Sequence, residues 1–115
     1  MNTFGKLLVG AIGNNTSILI VGKKVRDWDS IKNLIKNDVF SYHLITRTNN
    51  VPPKAIEFSM GNKLRFEIWD EQLEIRLCGC SFDYVFTNVP EVAQNEQVLA
   101  CCCMNSGVIV VGRIG

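Results

Sequence analysis

The stretch Lys63–Pro90, KLRFEIWDEQLEIRLCGCSFDYVFTNVP, decides how the chain folds. Leu64, Phe66 and Ile68 alternate with polar residues, the period of a strand with one buried face. Asp70-Glu71 marks a solvated turn. Leu73, Ile75 and Leu77 alternate again and predict another strand, with Glu74 and Arg76 facing out. Cys78-Gly79-Cys80 reads as a turn. Phe82–Asn88 is the next strand. Its apolar part, Phe82–Phe86, is expected to be the central strand of the sheet, buried, parallel to Ile18–Val21 and Val108–Val111, and catalytically silent. Pro90 suits the first turn of a helix running to about Met104, with Asn88 as its cap and Glu91 favourable near its start.

Upstream, Ile56, Phe58 and Met60 alternate, and Gly61-Asn62 separates them from Leu64. A dipeptide that tolerates positive φ between two alternating runs predicts a hairpin. Tyr42–Thr48 reads as a strand, and Asn49-Asn50-Val51-Pro52-Pro53 as a break. Trp28, Ile31, Leu34 and Ile35 share one face of a helix over 28–37, capped by Asp27 or Asp29. Ser17–Val21 (SILIV) is a continuous apolar run, as in a strand buried on both faces. Phe4, Leu7, Leu8, Ala11 and Ile12 give a helix over 3–12, capped by Asn2 or Thr3 and stopped at Gly13-Asn14-Asn15. Val108–Val111 is a final buried strand. Apolar strands alternating with helices imply one α/β domain over 1–115. Its sheet is small, open and mainly parallel, with an inserted antiparallel hairpin and flanking helices.

Composition narrows the classes. Of 115 residues, 47% are apolar and 20% charged, which excludes a disordered chain and a coiled coil. Residues 1–53 carry seven Lys and Arg against three acids (+4); residues 54–115 carry five against eight (−3). That asymmetry is too weak to argue for nucleic acid by charge alone. Lys6 interrupts the first apolar stretch, and Ile18–Val21 is too short for a signal or a membrane span, so no membrane partner is expected. Five cysteines, three of them consecutive, do not form a secreted disulfide framework and point to a reducing cytosol.

The chemistry-bearing residues divide as follows. Cys78, Cys80, Cys101, Cys102 and Cys103 do not have zinc-ligand spacing. Consecutive helical residues point about 100° apart and cannot converge on one ion, so core filling is expected and no metal. His43, the single histidine, sits in the strand-like run and is given a structural role. Glu67, Asp70, Glu71 and Glu74 read as a turn and an outward pair rather than a catalytic set. Lys23, Lys24, Arg26, Lys32 and Lys36 form a basic loop and helix face. In an open α/β sheet the loop after a strand's C-terminal end borders the ligand crevice, so these five are the candidate ligand-binding residues. No complete phosphate loop is present: beyond Gly5-Lys6 it would need a glycine five positions before Gly5 and Ser or Thr in place of Leu7.

The order of these segments resembles the ATPase core of phage terminase large subunits and related helicase-like P-loop proteins. A helix begins at Gly5-Lys6, and the strand SILIVGKKV (17–25) leads into an amphipathic helix. The hairpin AIEFSMGNKLRFEIW (55–69) follows. LEIRLCGCSFDYVFTNVPEV (73–92) is similar to that family's leucine-arginine-glycine, phenylalanine-aspartate and apolar strand ending in Asp-Glu. The Gly107–Gly112 strand corresponds to the family's next one. The family's acidic pair falls here at Thr87-Asn88, neither acidic, and an amide can neither hold Mg²⁺ by charge nor take a proton from water. The resemblance therefore implies a truncated, degenerate and non-catalytic P-loop-like derivative, phage-encoded.

The expectation is a cytoplasmic α/β protein without catalytic residues, cofactor or metal, docking on a protein or nucleoprotein partner. A second reading is a nucleic-acid or nucleotide-binding domain using the basic loop and helix. A third is a self-associating homo-oligomer that buries the Phe58/Phe66 hairpin or the cysteine-rich helix.

Overall fold

The computed structural model of the chain describes residues 2–103 and 107–114, with no account of the Cys103 side chain. Its helices are α1 (Thr3–Gly13), α2 (Asp27–Lys36), α3 (Val39–Leu44), α4 (Leu73–Arg76) and α5 (Glu96–Cys103). Its strands are β1 (Ile18–Gly22), β2 (Ile45–Asn49), β3 (Lys54–Phe58), β4 (Lys63–Ile68), β5 (Tyr84–Thr87) and β6 (Val108–Val111), with a 3-10 turn at Pro90–Gln94. The strands form one open sheet in the order β2-β3-β4-β1-β5-β6. β1 is parallel to β4 and β5, and β5 to β6, while β3 runs antiparallel between β2 and β4. This is the mainly parallel α/β sheet with an antiparallel hairpin that the apolar periodicity predicts.

Local chemistry explains the elements that match. Asn2 caps α1 by accepting the Gly5 amide at 2.9 Å. All five residues of β1 are buried, because both faces of the sheet are covered there. Gly61 takes φ +94 in the turn between β3 and β4, a value that favours glycine. At the end of β1, a Cβ on Gly22 would stand 2.8 Å from the Phe66 ring, so only glycine lets that ring close over the strand.

Two apolar clusters sandwich the sheet. On one face, Phe4, Leu8 and Ile12 of α1 and Trp28, Ile31 and Ile35 of α2 pack against Ile20, Phe66 and Phe86. On the other, Leu73, Leu77, Val92, Val98 and Cys101 pack against Leu19, Val21 and Val85.

Several expectations are corrected. Tyr42–Thr48 is not one strand: Asp38 accepts the Ser41 amide at 3.0 Å and starts α3, and the strand begins only at Ile45. His43 therefore lies exposed in the last turn of a helix. Leu73–Arg76 is helical with Leu77 as its C-cap, because Leu73 and Leu77 meet on one face at a spacing of four. Ile75 points outward at 71% exposed, and Arg76 turns inward. The expected helix from Pro90 breaks at Asn95, and Met104 lies outside the described residues. α2 has no side-chain cap: the Asp27 carboxylate accepts the Lys24 amide instead. β6 is a half-open edge rather than a buried strand, with Val108 and Val111 at 47% and 46% exposed.

Candidate functional site

β1 leaves the sheet towards α2 on one face, and β5 leaves towards α5 on the other. Their C-terminal ends therefore flank the topological switch point, where open α/β sheets bind ligands. Here that crevice is tied shut. The Asn88 Oδ1 accepts the Lys23 amide at 3.0 Å, and its Nδ2 donates to the Asp27 carboxylate at 3.1 Å. Asp27 also accepts the Lys24 amide at 2.9 Å. The Thr87 hydroxyl donates to the Val21 carbonyl at 2.8 Å and accepts the Val89 amide at 3.0 Å. Asn88 thus clamps the β1–α2 loop and does not cap the helical turn after it, whose first residues lack a side-chain cap. Asp83 lies at the opposite end of β5, where it accepts the Ser17 amide at 2.8 Å.

The five candidate cations do not form one pocket. Lys23, Lys24 and Arg26 share the exposed β1–α2 loop. Lys32 is committed elsewhere: its Nζ donates to Asn50 Oδ1 at 3.1 Å, pairs with Asp29 at 3.3 Å and lies 5.6 Å from the centre of the Trp28 ring. Lys36 is exposed in the last turn of α2, about 15 Å along the helix from Arg26.

A hollow lies beside the clamp, against β4. It has a volume of about 560 Å³ and is walled by Val25, Pro52, Pro53, Phe66 and Ile68. Its charged groups are Lys54 and a network built on Glu67, which is only 6% exposed. Glu67 Oε2 accepts from Arg65 Nη2 at 2.6 Å and from its Nε at 2.7 Å. Glu67 Oε1 accepts from Arg76 Nε at 2.6 Å. Arg76 Nη2 then donates to the Ile68 carbonyl and to Asp70, each at 2.9 Å. Arg65 closes the ring through the Arg76 carbonyl at 3.0 Å and the Cys80 Sγ at 3.2 Å.

The electrostatics follow from this packing. Burial works against the Arg76 charge, but its bonds to Asp70 and Glu67 outweigh that and raise its pKa. The same Arg76 bond, opposed by slight desolvation and helped by the Gln72 amide, holds Asp70 below the usual carboxylate range. Two guanidiniums and two carboxylates leave the network neutral. Each of those carboxylates already accepts charged bonds, which makes the network a rigid floor for a ligand. Arg76 Nη1 donates to no acceptor among the described residues.

Sequence reasoning reached the acidic members of this site but read them as solvated. Arg65-x-Glu67 on one strand face was the available signal. Arg76 was invisible while Leu73–Leu77 stood as a strand. Of the other acids, Glu74 accepts from Asn95 Nδ2 at 3.2 Å and Glu71 is exposed. Cys101 and Cys102 are buried in the core, Cys80 is half-buried and Cys78 exposed. Burial pushes the Cys101 thiol up, against a bond from Gln97. Among the described residues, no three His, Cys, Asp or Glu side chains form a group that could hold a metal ion. No helix among them is long and apolar enough to cross a membrane. Compared with known proteins, the chain matches no family model, no curated protein and no solved structure.

Proposed function

We propose that this chain is a non-catalytic binding protein that takes an apolar loop of a protein partner into the cleft between Val25, Pro52 and Arg76. The observation that carries the reading is the pairing of charges in the cleft: Arg65, Glu67, Asp70 and Arg76 hold one another. Thr87 and Asn88, where a nucleotide hydrolase would keep its carboxylates, are bonded to backbone and to Asp27. The apolar walls take the body of the loop, and Arg76 Nη1 takes a carbonyl or carboxylate on it. The assay is nucleotide turnover by the purified chain. None is expected, and turnover abolished by Lys6→Ala or Asp83→Asn contradicts the reading. Phage origin, descent from a terminase-like ATPase and a cytoplasmic setting belong to this proposal and rest on the sequence resemblance and cysteine usage.

A second reading draws on the exposed Lys23, Lys24 and Arg26, with Lys32 and Lys36 behind them along α2. It makes the chain a nucleic-acid or nucleotide-binding domain. It predicts oligonucleotide binding that falls steeply with salt and drops in a Lys23→Ala/Lys24→Ala variant. Absence of any retention at low salt removes it.

A further inference from the structure

The two edges of the sheet are unlike. β2 is a protected edge: Thr46, Arg47 and Thr48 are exposed, its register shifts between Ile45 and Arg47, and Pro52-Pro53 follows it. β6 has none of these devices. It reads Val-Ile-Val-Val, carries no charge, proline or bulge, and no strand among the described residues pairs with its outer side. Unprotected edges of this kind are templates for another strand.

The backbone pattern says what fits. Val108 and Gly112 donate their amides to the Asp83 and Thr87 carbonyls at 2.9 Å each. Alternate residues of a strand direct their backbone groups to opposite sides. Val108, Val110 and Gly112 therefore face β5, and Ile109 and Val111 face outward. We propose that β6 pairs antiparallel with β6 of a second copy, joining two six-stranded sheets across a twofold axis at Val110. In that register, Ile109 lies opposite the partner's Val111 and Val111 opposite the partner's Ile109. Both are hydrogen-bonded pairs, and together they use every outward N–H and C=O of the two strands.

Side chains agree with the register. Val108 meets the partner's Gly112, which has no side chain to obstruct it, and Arg113 meets the partner's Gly107 rather than another cation. Opposing residues lie on the same face of the joined sheet, so the exposed Val111 is covered by the opposing Ile109, and the exposed Val108 gains Val110 of the second copy as its diagonal neighbour. A second copy is preferred to a foreign strand because the edge is uncharged from end to end and complements itself. The surfaces expected from the sequence are already spent: Phe58 and Phe66 are each 3% exposed, and Cys101 and Cys102 are buried. The contact is short and predicts a weak, concentration-dependent dimer. It is independent of the cleft.

Sedimentation equilibrium of the whole chain, from about 10 μM to about 1 mM, tests the proposal. The mass is expected to rise from 12.9 kDa towards twice that value. Val111→Lys puts a charge on the edge, and Val111→Pro removes an outward amide that bonds nothing among the described residues. Each is expected to weaken the dimer at least about tenfold, while Thr48→Lys on the opposite edge leaves it intact. Amide exchange on the unaltered protein tests the register. The Ile109 and Val111 amides are expected to slow at least about tenfold with concentration, while Val108 and Val110 are protected throughout. A monomer at about 1 mM, a dimer untouched by folded Val111→Lys or Val111→Pro, or unchanged exchange at Ile109 and Val111 overturns it.

Discussion

Glu67 is the residue on which the cleft depends. It is a nearly buried carboxylate that survives because two guanidiniums and their bonds replace its water. Glu67→Gln keeps the shape and removes the charge, leaving Arg65 and Arg76 facing an amide in a half-buried site. The expected loss of folding stability is roughly 2–4 kcal/mol in urea titration at neutral pH, and an unchanged midpoint contradicts the network. Asp70 is a milder case, since its side chain is 45% exposed and its pair with Arg76 is screened. Its folded pKa lies below its unfolded one, so the stability it contributes is full above about pH 4 and fades as pH falls through the folded value. Asp70→Asn is therefore expected to cost roughly 0.2–1 kcal/mol at neutral pH. The difference between variant and parent is expected to shrink as pH falls through the folded pKa of Asp70.

At the level of elements, the sequence was most legible where apolar residues repeat over several turns or a whole strand. α1, α2, β1 and the β3–β4 hairpin follow from their periodicity, caps and turn residues. Short segments were read wrongly because two periods fit them. Leu73-Glu-Ile-Arg-Leu satisfies a period of two and a spacing of four; only packing against Leu19 and Val85 selects the helix. Val39–Leu44 is likewise decided by one cap, Asp38, that precedes a run of β-forming residues. The break at Asn95 was readable, because Asn precedes a helical run. Its Oδ1 accepts the Val98 amide at 3.0 Å and its carbonyl the Leu99 amide at 2.9 Å, which opens α5. Asn95→Ala is expected to lower stability by about 1 kcal/mol and Asn95→Asp to retain it, in paired thermal melts; equal melts for both contradict the cap.

Over the whole molecule, the arrangement of the sheet was accessible and the position of the site was not. Continuous apolar runs at Ile18–Val21 and Val108–Val111 require parallel neighbours, and β1, β5 and β6 supply them. The topological rule then pointed to the loop after β1. In this chain Asn88 and Asp27 occupy the amides of that loop, and the open space lies one strand away, beneath Arg76. That displacement depends on side chains from β4, α4 and the Pro52-Pro53 turn, which are distant in sequence and share no motif. The most direct measurement is a screen of small apolar fragments, some bearing a carboxylate, by amide and methyl chemical-shift mapping of the purified chain. The account predicts that hits cluster at Val25, Lys54, Ile68 and Arg76, that carboxylate fragments bind best, and that Arg76→Ala removes their advantage. Hits spread along Lys23, Lys24 and Lys36 instead, with the cleft signals unmoved, would contradict it.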